Sequence, residues 1–458
     1  MKTKLLVLTL LLMLPAQITS AEAAVKAGST CNTLGKTSVA SSKIFTCVKS
    51  GKKLVWNKGV SVNKSNSPIN MSYTTPSEIS DDIELCKIKE VNLNGPRSSK
   101  QALPSGFPRT IPPTINTGSV KWALIPIDFP DLKGESRFST RVDGQIKLLT
   151  DWYKTVSEGK LNIEWTVQDK WITLPNISTE YTMLNSVNLV EGSNGAKLFK
   201  DAMKAADPFF DFTNIQTVNF ILPKGQSFIF ETVQGFPADD VVKNLNTNEG
   251  SISSFSIAGA FMDKPNKDYW SYWAHEFGHA IGIAHIGRSR PPAPLFSGYE
   301  LMASQDGPTR ELSGWLRFLV GWLPDERVFC KETQNLKNLE LTLIPLNKND
   351  QGIKLAVFPI NEKKAIVIES RRVSKFTCET IPAQNGVLAY IYDATLSHGE
   401  DFLIPITPSG RSVVASPCPA SPMEDSLLRA GDKVVFEGIK IENLQHANLD
   451  KIRISKIN

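Results

Sequence analysis

At 458 residues the chain is too long for one ordinary hydrophobic core, so two or three domains are expected. A hydrophobic fraction of 41%, a charged fraction of 21% and a net charge of +5 belong to an ordinary globular protein. So modest a charge gives no reason to expect nucleic acid as a partner.

The chain opens on "MKTKLLVLTLLLMLPAQITSAEAA": Lys2 and Lys4, an apolar core from Leu5 to about Pro15, then the small residues Ala21, Ala23 and Ala24. This is the pattern of a signal peptide over 1–23, and it predicts export and a secreted or extracellular location. A membrane anchor needs about 20 consecutive apolar residues, which this core lacks, and no later segment is long and apolar enough to span a bilayer. Export permits disulfides, and the six cysteines are even in number: Cys31, Cys47, Cys86, Cys330, Cys378 and Cys418. None forms a CxxC pair, so structural bridges are expected. Cys31 and Cys47 bracket one short module and should pair. Cys330 with Cys378, and by elimination Cys86 with Cys418, complete the expectation, although spacing alone does not fix connectivity.

That small cysteine-containing module covers 24–60. Its basic cluster, Lys49, Lys52, Lys53 and Lys58 around Trp56, reads as a solvated strand face, with weak contact to an anionic cell envelope as the alternative. Polar and proline-rich runs over 61–117 read as a linker or a propeptide removed on maturation. The apolar run at 120–129 suits a strand buried on both faces. A helix follows in "TRVDGQIKLLTDWYKTVSEGK", with Gly159 as its C-cap. Next come strands in "LNIEWTV" and "KWITLP", a helix in "GAKLFKDAMKAA" and a strand in "VNFILP". Such alternation predicts an α/β (α+β) catalytic domain with a mixed sheet over 118–325. Within it, Ser313 N-caps a helix carrying Trp315, Phe318, Leu319 and Trp322. From 326 to 458 short β runs separated by turns predict an all-β, sandwich-like C-terminal domain with antiparallel pairing.

Three of the five histidines fall within "HEFGHAIGIAH". A helix over about 268–281 puts His275 and His279 at i and i+4, on one face and one turn apart. Gly282 can adopt a backbone conformation closed to other residues, which lets the chain turn and bring His285 round as a third ligand. Three imidazoles with a fourth position left for water is the donor set of a catalytic zinc site. Glu276, on a different bearing, is the candidate general base for the zinc-bound water. His398 and His446 read as surface residues.

"HEFGHAIGIAH" followed by "SGYELMAS" resembles the zinc signature and Met-turn of the metzincin metallopeptidases, with Met302 as the methionine under the histidines. "PIDFPD", "WYKTVSEGKLNIEWTV", "ELSGWLRFLVGWL" and "GVLAYIYD" extend the resemblance to the immune inhibitor A-like secreted bacterial peptidases, over roughly 118–400. The resemblance implies a zinc endopeptidase with a metzincin-like catalytic domain, an active-site helix and β structure after it. It also implies protein or peptide substrates. Ser304 stands where some metzincins carry a tyrosine ligand, so none is predicted. Asp128 and Asp131 are too few to define a calcium site. A Cys86 thiolate could cap the zinc in a latent form, but that would leave another cysteine unpaired. Arg288 and Arg290 read as a solvated loop.

The reading is therefore a secreted zinc-dependent endopeptidase in which His275, His279 and His285 hold one zinc and Glu276 is the base. The competing reading is an exported, catalytically inactive zinc-containing binding or adhesion protein.

Overall fold

The structure is a computed structural model. It describes residues 26–32, 37–40, 43–61, 80–91, 103–109, 115–184, 189–230, 233–235, 240–243, 247–265, 267–287, 294–377, 385–411, 413–414 and 423–457. The predicted signal segment, Arg288, Arg290, Cys378 and Cys418 lie outside the described residues. Two compact units divide the chain, Met1–Met71 and Ser72–Asn458.

In the first unit, β1 (Thr37–Ala40), β2 (Lys43–Ser50) and β3 (Lys53–Trp56) form an antiparallel sheet in that order, and β4 (Val60–Ser61) pairs with β2. Its core is little more than Phe45 and Trp56, too small to hold a fold unaided. The expected Cys31–Cys47 disulfide supplies the missing constraint. Lys49, Lys52, Lys53 and Lys58 are all exposed.

The second unit is built on a mixed sheet of β5 (Gly118–Asp128), β6 (Leu161–Val167), β7 (Ile172–Thr173), β8 (Ile215–Ile221), β9 (Val233–Gly235) and β10 (Ser254–Ala258). The order is β6-β5-β8-β10-β9, with β7 also pairing β5. All neighbours are parallel except the edge strand β9, which runs antiparallel to β10. Strand β5 is apolar on both faces because both are covered. Val120, Trp122 and Leu124 meet the cluster that holds α1 (Gln145–Val156) and α4 (Tyr269–Ala280). Ala123, Ile125 and Ile127 meet α2 (Asn194–Ala206) on the other side, beside which lies the short α3 (Asp240–Lys243).

Helices α1, α4 and α5 (Gly314–Leu319) all end in the same hydrogen-bonded turn, with a left-handed residue closing the last carbonyls. In α1 that residue is Glu158 (φ 54°), with predicted Gly159 following it at φ 78°. Helix α5 starts at the predicted cap, where the Ser313 hydroxyl accepts the Leu316 N–H. It is shorter than predicted: Gly321 (φ 78°) stops it, so Trp322 lies beyond the helix, buried and donating to the Asn116 carbonyl at 2.8 Å.

After residue 326 two sheets stack. One holds β11 (Val328–Cys330), β13 (Leu355–Asn361), β14 (Lys364–Arg371), β15 (Gly386–Asp393), β16 (Leu403–Pro405) and β19 (Leu427–Leu428). The other holds β12 (Asn338–Leu343), β20 (Lys433–Phe436), β21 (Ile439–His446) and β22 (Asp450–Lys456), and β17 (Val413–Val414) pairs only with β18 (Met423–Glu424). Pairing is antiparallel as predicted except between β11 and β13, which run parallel because a long excursion separates them. Alternation explains why the middles of β13 to β15 are apolar on both faces. Phe358, Ile366, Ile368, Ala389 and Ile391 face the second sheet. Val357, Val367, Leu388, Tyr390 and Tyr392 face the cluster that contains α4 and α5.

The described parts of 80–117 are knitted into this unit. Cys86 is fully buried and bonded to Cys330, which corrects the expected Cys330–Cys378 and Cys86–Cys418 pairs. The fold brings together residues 244 apart in sequence, a proximity that spacing does not encode. This bond also removes the Cys86 thiolate that a latency switch would need. Ser105 is buried, its carbonyl accepting the Trp315 indole N–H at 2.9 Å. Arg109 donates to the Ile281 carbonyl, 3.0 Å away at the C-terminal end of α4.

Candidate metal centre

Helix α4 is buried almost all round, and its Asp268 to Ile281 caps agree with the predicted span to within a residue. His275 and His279 leave the same face, with ring centroids 4.9 Å apart. Gly282 follows with φ 90°, and the Ile283 N–H returns to the Gly278 carbonyl at 2.9 Å. That reversal brings the His285 ring centroid within 4.7 Å of His275 and 4.2 Å of His279. Nitrogen atoms of the three imidazoles lie within 4.8 Å of one another, the one such group of three or more metal-donor residues among the described residues.

Backbone carbonyls orient the rings. His275 Nδ1 lies 3.0 Å from the Leu301 carbonyl, and His279 Nδ1 lies 2.8 Å from that of Ile283. His285 has a hydrogen bond to the Met302 backbone. A carbonyl can only accept, so in the neutral rings of His275 and His279 the Nδ1 atoms carry the proton and Nε2 does not. The Nε2 atoms of His279 and His285 lie 2.9 Å apart. Burial pushes the imidazole of His275 down to about 4 and that of His285 to about 3, and places His279 well below its ordinary value. All three are neutral at pH 7, as metal ligands must be. The donor set fits one zinc ion.

Met302 is fully buried beneath this group. A Cβ on Gly278 would come within 2.9 Å of its sulfur, so the helix packs closely against the turn that carries Met302. Glu300 fixes that turn: its carboxylate accepts the N–H of Met302 (3.2 Å) and of Ser313 (2.5 Å). Arg371 of β14 donates to the Tyr299 carbonyl at 3.0 Å and pairs with Glu369 at 2.5 Å. Burial pushes the Glu300 carboxyl up to about 7, against the pull of Arg371 and the two N–H groups. Sequence reading missed Glu300, Glu369 and Arg371, because nothing in their spacing ties them to the histidines.

Glu276 lines a small pocket between α4 and strands β8, β9 and β10, beside Trp273 and Phe277. Thr217, Asn219, Gln234, Ser254 and Ser256 line it with polar groups. Burial pushes the Glu276 carboxyl up to about 8, opposed by a hydrogen bond from the Gln234 side chain.

Other sequence candidates are placed elsewhere. Asp128 accepts from Thr173 Oγ1 (2.7 Å) and the Gly134 N–H (3.2 Å), and Asp131 from the N–H (2.8 Å) and hydroxyl (2.9 Å) of Ser178. Both brace loops rather than converge on a calcium site. His446 is half-buried, 2.6 Å from Asp450. His398, expected at the surface, is half-buried with its ring 5.4 Å from that of His285. Among the described residues no helix is long and apolar enough to cross a membrane.

No protein-family model matches this chain, and no curated protein does. Solved structures give distant likenesses. The chain is 14% identical to metalloproteinase-II from Bacteroides fragilis (TM-score 0.26), covering 49% of this chain and 58% of that one. It is 11% identical to OgpA from Akkermansia muciniphila (TM-score 0.26), covering 64% and 88%. A catalytically inactive OgpA in complex with an O-glycopeptide substrate gives 9% identity and a TM-score of 0.26, covering 76% and 96%. Likenesses this distant carry no argument about the centre, which rests on its own geometry.

Proposed function

We propose that the chain is an exported zinc-dependent endopeptidase of metzincin type, with His275, His279 and His285 as metal ligands and Glu276 as general base. The carrying observation is the convergence of three imidazoles whose ring nitrogens lie within 4.8 Å of one another, with a carboxylate at the next position of the same helix. Zinc held there would supply the Lewis acid that lowers the pKa of a bound water from about 15.7 toward roughly 7.

The protein's own groups do the rest. Gly282 and the Met302 turn keep the three rings on one point. Glu276 takes the proton of the attacking water and passes it to the departing amine. General acid–base help of this kind is worth about 10²- to 10⁴-fold. A purely structural metal site has no use for such a group.

Hydrolysis of denatured casein by the purified protein tests the proposal. Cleavage should disappear with a chelator and return with stoichiometric zinc. Zinc binding without cleavage would favour an inactive binding protein.

A further inference from the structure

The third ligand has no helix to hold it. His285 lies in irregular backbone beyond Gly282. The next N–H, that of Ile286, bonds the Met302 carbonyl at 3.2 Å, and the remaining support comes from far along the chain, in the loop 394–402 that joins β15 to β16. The tip of that loop is a tight turn. The Glu400 N–H bonds the Ser397 carbonyl at 2.9 Å, and Gly399 takes the left-handed conformation (φ 80°). The Glu400 carboxylate locks the turn from inside by accepting the Ser397 N–H (2.9 Å) and hydroxyl (3.2 Å).

This turn lies along 285–287 like a short extra strand. The His285 N–H donates to His398 Nδ1 at 3.1 Å. The Gly399 N–H donates to the His285 carbonyl at 3.0 Å, and the Gly287 N–H to the Glu400 carbonyl at 2.9 Å. Ile286 and Glu400 form a parallel bridge. Both peptide groups of the third ligand are therefore tied to two consecutive residues of the C-terminal sheet region. One of those ties uses a side chain, the imidazole of His398.

We propose that His398 is a positioning residue of the metal centre: by accepting the His285 N–H it fixes the backbone from which the third ligand reaches the metal. The proposal rests on the reading of His285 as a ligand. Groups that orient ligands from behind are worth about 10- to 100-fold in metal affinity when removed. It follows that the region after residue 326 is part of the site rather than an appended module.

The test is zinc affinity of the full chain, measured by competition with a chromophoric chelator, together with the melting temperature of the metal-free protein. His398→Ala should bind zinc at least about tenfold more weakly than wild type, with an unchanged metal-free melting temperature. His398→Asn, whose side-chain oxygen can accept the same N–H, should recover most of the loss. Equal affinity in wild type and His398→Ala would overturn the proposal. So would a loss matched by a drop in metal-free melting temperature, or an asparagine variant as weak as the alanine one. Failure of the wild type itself to bind zinc would overturn the metal-site reading, and the positioning role with it.

Discussion

Helix α4 and the turn at 397–400 hold the same three imidazoles in opposite ways. The helix places His275 and His279 one turn apart by local geometry, and carbonyls steady the rings, that of neighbouring Ile283 for His279 and that of Leu301 for His275. The turn holds His285 through bonds between residues more than a hundred positions apart. A site can thus be half local and half assembled, and the assembled half is where small changes should weaken metal binding without destroying the fold.

Removing one of the proposed helical ligands should have the largest effect. His279→Ala is expected to leave dialysed protein without zinc and without turnover, whatever the state of the turn, as read by elemental analysis and casein hydrolysis. Next comes the disulfide that ties Cys86 to β11. Replacing Cys86 and Cys330 by serine should cost about 2–5 kcal/mol in denaturant unfolding, since the bond closes a loop spanning 244 residues. A cost near zero would mean that the segment before β5 is only a tether.

Glu300 sharpens the contrast through pH. Its folded-state value is raised from 4.5 to about 7, so between these values the native state binds the extra proton. The stability this confers is present below pH 4.5 and lost as pH rises to 7. Relative to Glu300→Gln, metal-free wild type should therefore lose on the order of 3 kcal/mol across that window, and a pH-independent difference would contradict the burial argument. Gly282→Ala should cost less, about 1–2 kcal/mol, because φ 90° is closed to alanine, and should weaken zinc binding as His285 shifts. Lys87→Ala breaks surface pairs with Glu84 and Asp325 and should change stability by about 1 kcal/mol or less, leaving zinc binding untouched.

Legibility in the sequence follows the same division. The spacing of His275 and His279, the hinge at Gly282, the Ser313 cap and the doubly buried strand β5 all depend on neighbours within a few residues, and periodicity reveals them. Strand β11 pairing parallel to β13, the Cys86–Cys330 bond and the Glu300–Arg371–Glu369 cluster depend on which distant segments meet, and no local pattern carries that. His398 stands in a polar loop that reads as surface, and only the β15–β16 turn puts it beside His285. Even within a helix the reading overran at Trp322, because the apolar spacing continues past Gly321, whose left-handed backbone ends the helix.

The most direct test of the central claim compares wild type with Glu276→Gln at equal zinc content. Both should bind about one zinc, since the carboxylate is not a ligand, and the variant should turn over casein about 10²- to 10⁴-fold more slowly. A variant that cuts as fast as wild type, or a wild type that holds zinc and never cuts, would contradict the account.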